Sequence, residues 1–146
     1  MAVQVSVIGS GAEHEARAEV VGRLLAERGV TVVCGGLGEV MAAAARGAKS
    51  GGGATIGILP GTTREAANEW IDHVVVTGTG HGRNLAVVGS GDAVIAVGGR
   101  WGTLAEIGFA GVLGRYVVIL EPGLHVEGVP RAQTPEQAVE LALANA

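Results

Sequence analysis

Short apolar, β-branched runs alternate along the chain with longer stretches whose apolar positions recur at helical spacing. Residues 2–8 predict a first strand, which enters a tight loop at Gly9-Ser10-Gly11. Residues 13–28 predict an amphipathic helix, with Val20, Val21, Leu24 and Leu25 on one face and Gly29 as its stop. Residues 30–34 read as a second strand, followed by Gly35-Gly36-Leu37-Gly38 and an alanine-rich helix to about Ser50, which the glycines at 51–53 end. Residues 54–59 form the third predicted strand, 72–76 the fourth and 92–97 the fifth, with a short helix over 82–89. The glycine-rich segment 98–102 leads into a helix reaching about Leu113, and residues 116–120 make a sixth strand. Thr134 as N-cap, Pro135 at the first position and Gln137 at the third open a last helix.

The runs 74–76 and 117–120 are apolar without alternation, as expected of strands covered on both faces of a parallel sheet. Strands alternating with helices predict one Rossmann-like, doubly wound α/β domain over 1–146, with a mainly parallel sheet and helices on both faces. Ligands of such sheets bind beyond the carboxyl ends of the strands. Every glycine cluster except 51–53 follows a predicted strand, so the glycines gather on that side.

Composition narrows the classes. A chain of 146 residues buries about two-thirds of its unfolded surface, so no disulfide or metal staple is required. Hydrophobic residues at 48 % and charged residues at 16 % exclude a disordered chain. The 26 glycines follow no fixed period, which excludes collagen-like and linker readings. Aromatics at 3 %, a formal charge of −4 and the absence of a basic run argue against nucleic acid as a partner. Cys34 has no second cysteine to pair with and reads as a small core residue. No apolar run approaches the ~18–20 residues of a membrane span, and the start lacks a secretory leader, so the expectation is a cytoplasmic protein with no membrane partner.

Three strand-to-helix loops carry the candidate chemistry: Gly9, Ser10 and Gly11; Gly35, Gly36 and Gly38; and Gly98, Gly99, Arg100, Gly102 and Thr103. Unpaired amides at a helix start, with the helix dipole behind them, attract an anion, and glycine lets its oxygens approach closely. The alternative is that the glycines serve tight turns and close packing alone. The first loop lacks the third glycine of a dinucleotide fingerprint, no P-loop motif occurs, and His14, His73, His81 and His125 have no metal-ligand spacing, so no metal site is expected. Thr103-Leu104-Ala105-Glu106 has two readings. As a capping box, Glu106 bonds back to the start of its helix. As a functional carboxylate, it contacts a ribose or assists water at a glycosidic carbon. Arg83, in a loop entering a helix, is either a solvated arginine or a fork for a phosphate or carboxylate.

Cys34-Gly35-Gly36-Leu37-Gly38-Glu39-Val40-Met41, then Arg83-Asn84, then Gly98-Gly99-Arg100-Trp101-Gly102-Thr103-Leu104-Ala105-Glu106 resemble the LOG superfamily. That group holds the LONELY GUY phosphoribohydrolases, DprA/Smf-related proteins and molybdenum cofactor carriers. The chain looks most like the small carrier branch. The resemblance implies a Rossmann-like fold, a homodimer or homotetramer, and a phosphate-bearing small-molecule ligand such as molybdenum cofactor or a nucleoside monophosphate. It adds Met41 to the binding loops. It implies a carrier or sensor, or alternatively an enzyme that cleaves the N-glycosidic bond of nucleoside 5′-monophosphates, with Arg83 and Glu106 as its catalytic pair. The chain departs from the enzymes at Arg100, where they carry a glycine, and at Gly82 and Asn84, where they carry glutamate and lysine.

Overall fold

In the computed structural model, which describes residues 1–146, each of the six apolar runs is a strand. The chain runs β1 (Gln4–Ser10), α1 (Glu15–Glu27), β2 (Thr31–Cys34), α2 (Val40–Ser50), β3 (Thr55–Leu59), β4 (His73–Val76), α3 (Arg83–Ser90), β5 (Ala93–Gly98), α4 (Trp101–Val112), β6 (Tyr116–Leu120), β7 (Arg131–Ala132) and α5 (Pro135–Ala144). One sheet takes all seven strands in the order β4-β3-β2-β1-β5-β6-β7, every pair parallel. Strand order reverses between β1 and β5, where Ser10 lies opposite Gly98. The Rossmann-like expectation holds.

The core forms two layers. Val5 and Val7 of β1 and Ile95 and Val97 of β5 face one side, where Val21, Leu25, Ala44 and Val139 of α1, α2 and α5 cover them. Ile8, Val94 and Ala96 face the other side, against Val87 and Val88 of α3 and Ile107 of α4. The alanine-rich stretch explains itself at the α1–α2 crossing. A Cβ on Gly22 would lie 2.0 Å from the Ala44 carbonyl oxygen, and one on Gly47 would lie 1.9 Å from that of Glu19. The two backbones touch, and only small residues fit between them.

Several expectations need correction. The run 74–76 is not covered on both faces: β4 is the sheet edge, with Val75 and Val76 exposed. Strand β1 continues two residues past Ile8 because Gly9 and Ser10 still pair with Val97 and Gly98. A 3₁₀ turn over Ala12–His14 delays α1 to Glu15. At the last helix the expected cap forms: Thr134 accepts the Gln137 amide at 3.1 Å and Gln137 accepts that of Gln133 at 2.7 Å.

Candidate functional site

A cavity of ≈ 170 Å³ opens beyond the carboxyl ends of β1, β2 and β5. Its walls are the end of β1 (Ile8, Gly9, Ser10), Gly35 after β2, Met41 at the start of α2, His81 and Arg83 around the start of α3, and the first turns of α4. This is the point of reversed strand order, where the loops of neighbouring strands diverge and leave a crevice.

Arg83 occupies its place because Gly35 has no side chain. A Cβ on Gly35 would lie 1.9 Å from Arg83 Nη1 and 2.6 Å from Met41 Sδ. Nη1 donates to the carbonyls of Gly35 at 3.1 Å and Ile58 at 3.4 Å, the ends of β2 and β3. Nε is buried and has no partner. A buried donor without an acceptor is uncommon and calls for an explanation. Burial pulls the guanidinium pKa below its ordinary value, and the nearby charges of Glu106 and Cys34 pull it back.

Glu106 overturns its capping reading. Helix α4 starts at Trp101 with Arg100 as N-cap, so Thr103 lies inside the first turn. The Glu106 side chain bonds to no backbone amide; it faces the cavity and is 9 % exposed. Burial pushes its carboxyl up to about 7, and Arg83 opposes that shift. Neither Glu106 nor Arg83 makes a direct ion pair. A buried carboxyl titrating near neutrality beside a half-buried cation is a common mark of a working site.

Asn84 belongs to the Arg83-Asn84 motif but was not among the expected binding residues. It lines the cavity, is 8 % exposed and makes no hydrogen bond through its side chain. Its signal was a polar residue one helical turn before Val87 and Val88, on the same inward face. At α4, the Leu104 amide makes the first helical bond, to the Arg100 carbonyl. The amides of Trp101, Gly102 and Thr103 therefore stand at the helix mouth, as at any helix start.

Of the residues expected to bind, Gly9, Ser10, Gly35, Met41, Gly102 and Thr103 line the cavity with Arg83 and Glu106. Gly11, Gly36, Gly38, Gly98, Gly99 and Arg100 do not. Two of those glycines are packing residues: at Gly98 (φ +61°) a Cβ would meet the His14 ring at 2.2 Å, and at Gly99 (φ +123°) it would meet Thr103 at 2.6 Å. The Gly11 amide donates to Glu39 at 2.7 Å, and that of Gly36 to Cys34 Sγ at 3.4 Å. Arg100 points away, lining a separate apolar groove with Trp101, Leu104 and Leu124. Cys34 is buried, and burial raises its thiol to about 11, which suits a core residue rather than a nucleophile.

A family model described as SLOG cluster4 matches residues 2–145. The chain belongs to the SLOG cluster 4 family. Among solved structures, this SLOG cluster 4 chain is similar to a molybdenum cofactor binding protein from Rippkaea orientalis, with a TM-score of 0.92, 31 % identity, and 99 % and 97 % of the two chains covered. An uncharacterized protein of Archaeoglobus fulgidus is 41 % identical over 98 % of the chain and 96 % of its own length. A cytokinin riboside 5′-monophosphate phosphoribohydrolase of Mycobacterium tuberculosis is 34 % identical over 88 % of the chain and 74 % of its own length. The LOG-like resemblance of the motifs thus extends over the whole chain. No helix is long and apolar enough to cross a membrane.

Proposed function

We propose that the chain binds the phosphate end of a nucleotide-like small molecule in the cavity beyond β1, as a carrier or sensor. The observation that carries this is the buried, partnerless Nε of Arg83, held by Gly35 among cavity walls that include Gly102 and Thr103. A guanidinium edge and helix-start amides are complementary to a phosphate. The cavity is smaller than the ~300–1,000 Å³ of pockets that enclose a whole ligand, so the ligand's other end lies across the surface. Gly9, Ser10 and Met41 contact it from β1 and α2; Gly11, Gly36, Gly38, Gly98, Gly99 and Arg100 act from outside the cavity by shaping the loops. The likeness to a molybdenum cofactor binding protein supports that cofactor as a ligand.

A second reading is favoured by one observation, the Glu106 carboxyl at about 7 beside Arg83. In it the chain hydrolyses a nucleoside 5′-monophosphate. Water adds to the anomeric carbon and the carbon–nitrogen bond breaks. The base leaves with the bonding electrons. Glu106 stabilises the positive charge developing on the sugar and passes a proton from the water to the leaving base. Arg83 holds the phosphate or orients Glu106.

One set of measurements separates the two. The protein is incubated with AMP and other 5′-monophosphates and assayed for free base. Turnover that disappears in Glu106→Gln establishes the hydrolase. Binding without turnover, kept in Glu106→Gln and weakened at least tenfold in Arg83→Lys, establishes the carrier, because lysine lacks the Nε donor. Native mass spectrometry of freshly purified protein reports a retained ligand. If no phosphate compound binds or raises the melting temperature, both readings fail.

The same proposal includes a cytoplasmic homo-oligomer, a dimer or tetramer of this chain. Helix α4 carries Glu106 as its sole charged residue, and that side chain is buried, so its outer face is apolar. A second uncharged face of the same kind covers it without stranding a charge.

A further inference from the structure

Glu39 is the one non-glycine residue with a positive φ, at φ 54° and ψ −124°. That conformation costs about 1–3 kcal/mol in a residue with a Cβ and persists where the surroundings hold it. It precedes α2 as N-cap, yet its side chain does not cap that helix. It crosses to the first loop instead, where Oε2 accepts the buried Gly11 amide at 2.7 Å. The other oxygen, Oε1, has no protein partner, and the residue is exposed. Gly11 directly follows the wall residue Ser10, and Glu39 lies two residues before the wall residue Met41, so the carboxylate stands beside the cavity.

We infer that Glu39 closes the Gly9–Gly11 loop to anions and makes it an acceptor for a hydrogen-bond donor of the ligand, which fixes the direction in which the ligand lies. This rests on the binding reading above. A negative carboxylate already bonded to Gly11 repels a second anion at that loop and offers Oε1 to a hydroxyl or amino group. A phosphate is thereby confined to the Arg83 and α4 side. The uncharged, donor-bearing part, such as the sugar hydroxyls of a nucleoside monophosphate, faces Glu39. A ligand with anionic groups at both ends binds more weakly.

Amide chemical shifts in ¹⁵N-labelled protein test this with inorganic phosphate as the first probe. Glycine adopts a positive φ freely, so Glu39→Gly keeps the loop conformation while baring the Gly11 amide. The Gly11 amide is expected to stay still in the wild type and to move with phosphate in Glu39→Gly. A phosphate-induced shift at Gly11 in the wild type, or none there in Glu39→Gly, overturns the inference. The Gly102 and Thr103 amides report the binding reading separately: their silence sinks that reading without touching the outcome at Gly11. The second probe pair is AMP against adenosine 3′,5′-bisphosphate. The wild type is expected to prefer AMP at least tenfold, and Glu39→Gln and Glu39→Gly to lose that preference. Equal affinities in the wild type, or a preference unchanged in both variants, overturn the assignment of direction.

Discussion

A carboxyl that titrates near 7 in the folded chain and near 4.5 when free is a debt of ionisation that the fold carries at high pH. The folded state holds the Glu106 proton more tightly than the unfolded state does. Its contribution is therefore complete below about 4.5 and is lost as pH rises through about 7. The difference corresponds to about 3 kcal/mol at most. Between pH 5 and pH 8 the wild type is expected to lose up to that much more stability than Glu106→Gln, read from urea denaturation at the two pH values. Equal pH slopes would show Glu106 to be solvated. This residue also marks the limit of what the sequence discloses. The spacing Thr103-x-x-Glu106 fits a capping box only if the helix begins at Thr103. It begins two residues earlier, at Trp101, and the shift turns the same glutamate inward. Arg83 was legible as a candidate, but its slot was not. That slot depends on Gly35, 48 residues away in sequence.

At the level of elements, identical substitutions have opposite signs in different helices. Gly47→Ala in α2 places a methyl group 1.9 Å from the Glu19 carbonyl oxygen and forces the α1–α2 backbones apart. The expected loss is about 1–3 kcal/mol. Gly89→Ala in α3 meets only Leu113 at 3.4 Å, an ordinary contact, and is expected to gain about 0.5 kcal/mol from lower unfolded-state entropy. Denaturation midpoints of the two variants check both signs. The major elements were readable because their apolar periods are long and their ends carry glycine or a cap. Strand β7 was not readable: two residues, Arg131 and Ala132, have no period, and they become a strand only by pairing with Ile119 and Leu120. The exposure of β4 was hidden for a related reason, since an edge strand is defined by the neighbour it lacks.

For the whole molecule, the proposed assembly rests on the outer face of α3 and α4. Trp101 and Val112 are each 83 % exposed, and Leu85, Leu104, Phe109 and Leu113 add to the same apolar surface. Light scattering on a sizing column is expected to give a dimer or larger species for the wild type and a monomer for Val112→Arg. A wild type that is monomeric at micromolar concentration removes the oligomer proposal. The point of reversed strand order has a consequence for synthesis. The cavity takes Gly9 and Ser10 from the first strand and Gly102, Thr103 and Glu106 from the helix after the fifth. On the ribosome, a nascent chain exposes its early walls long before it can close them. Under the proposed binding, capture therefore comes late, and the captured molecule then clasps the early and late portions of the polypeptide to each other.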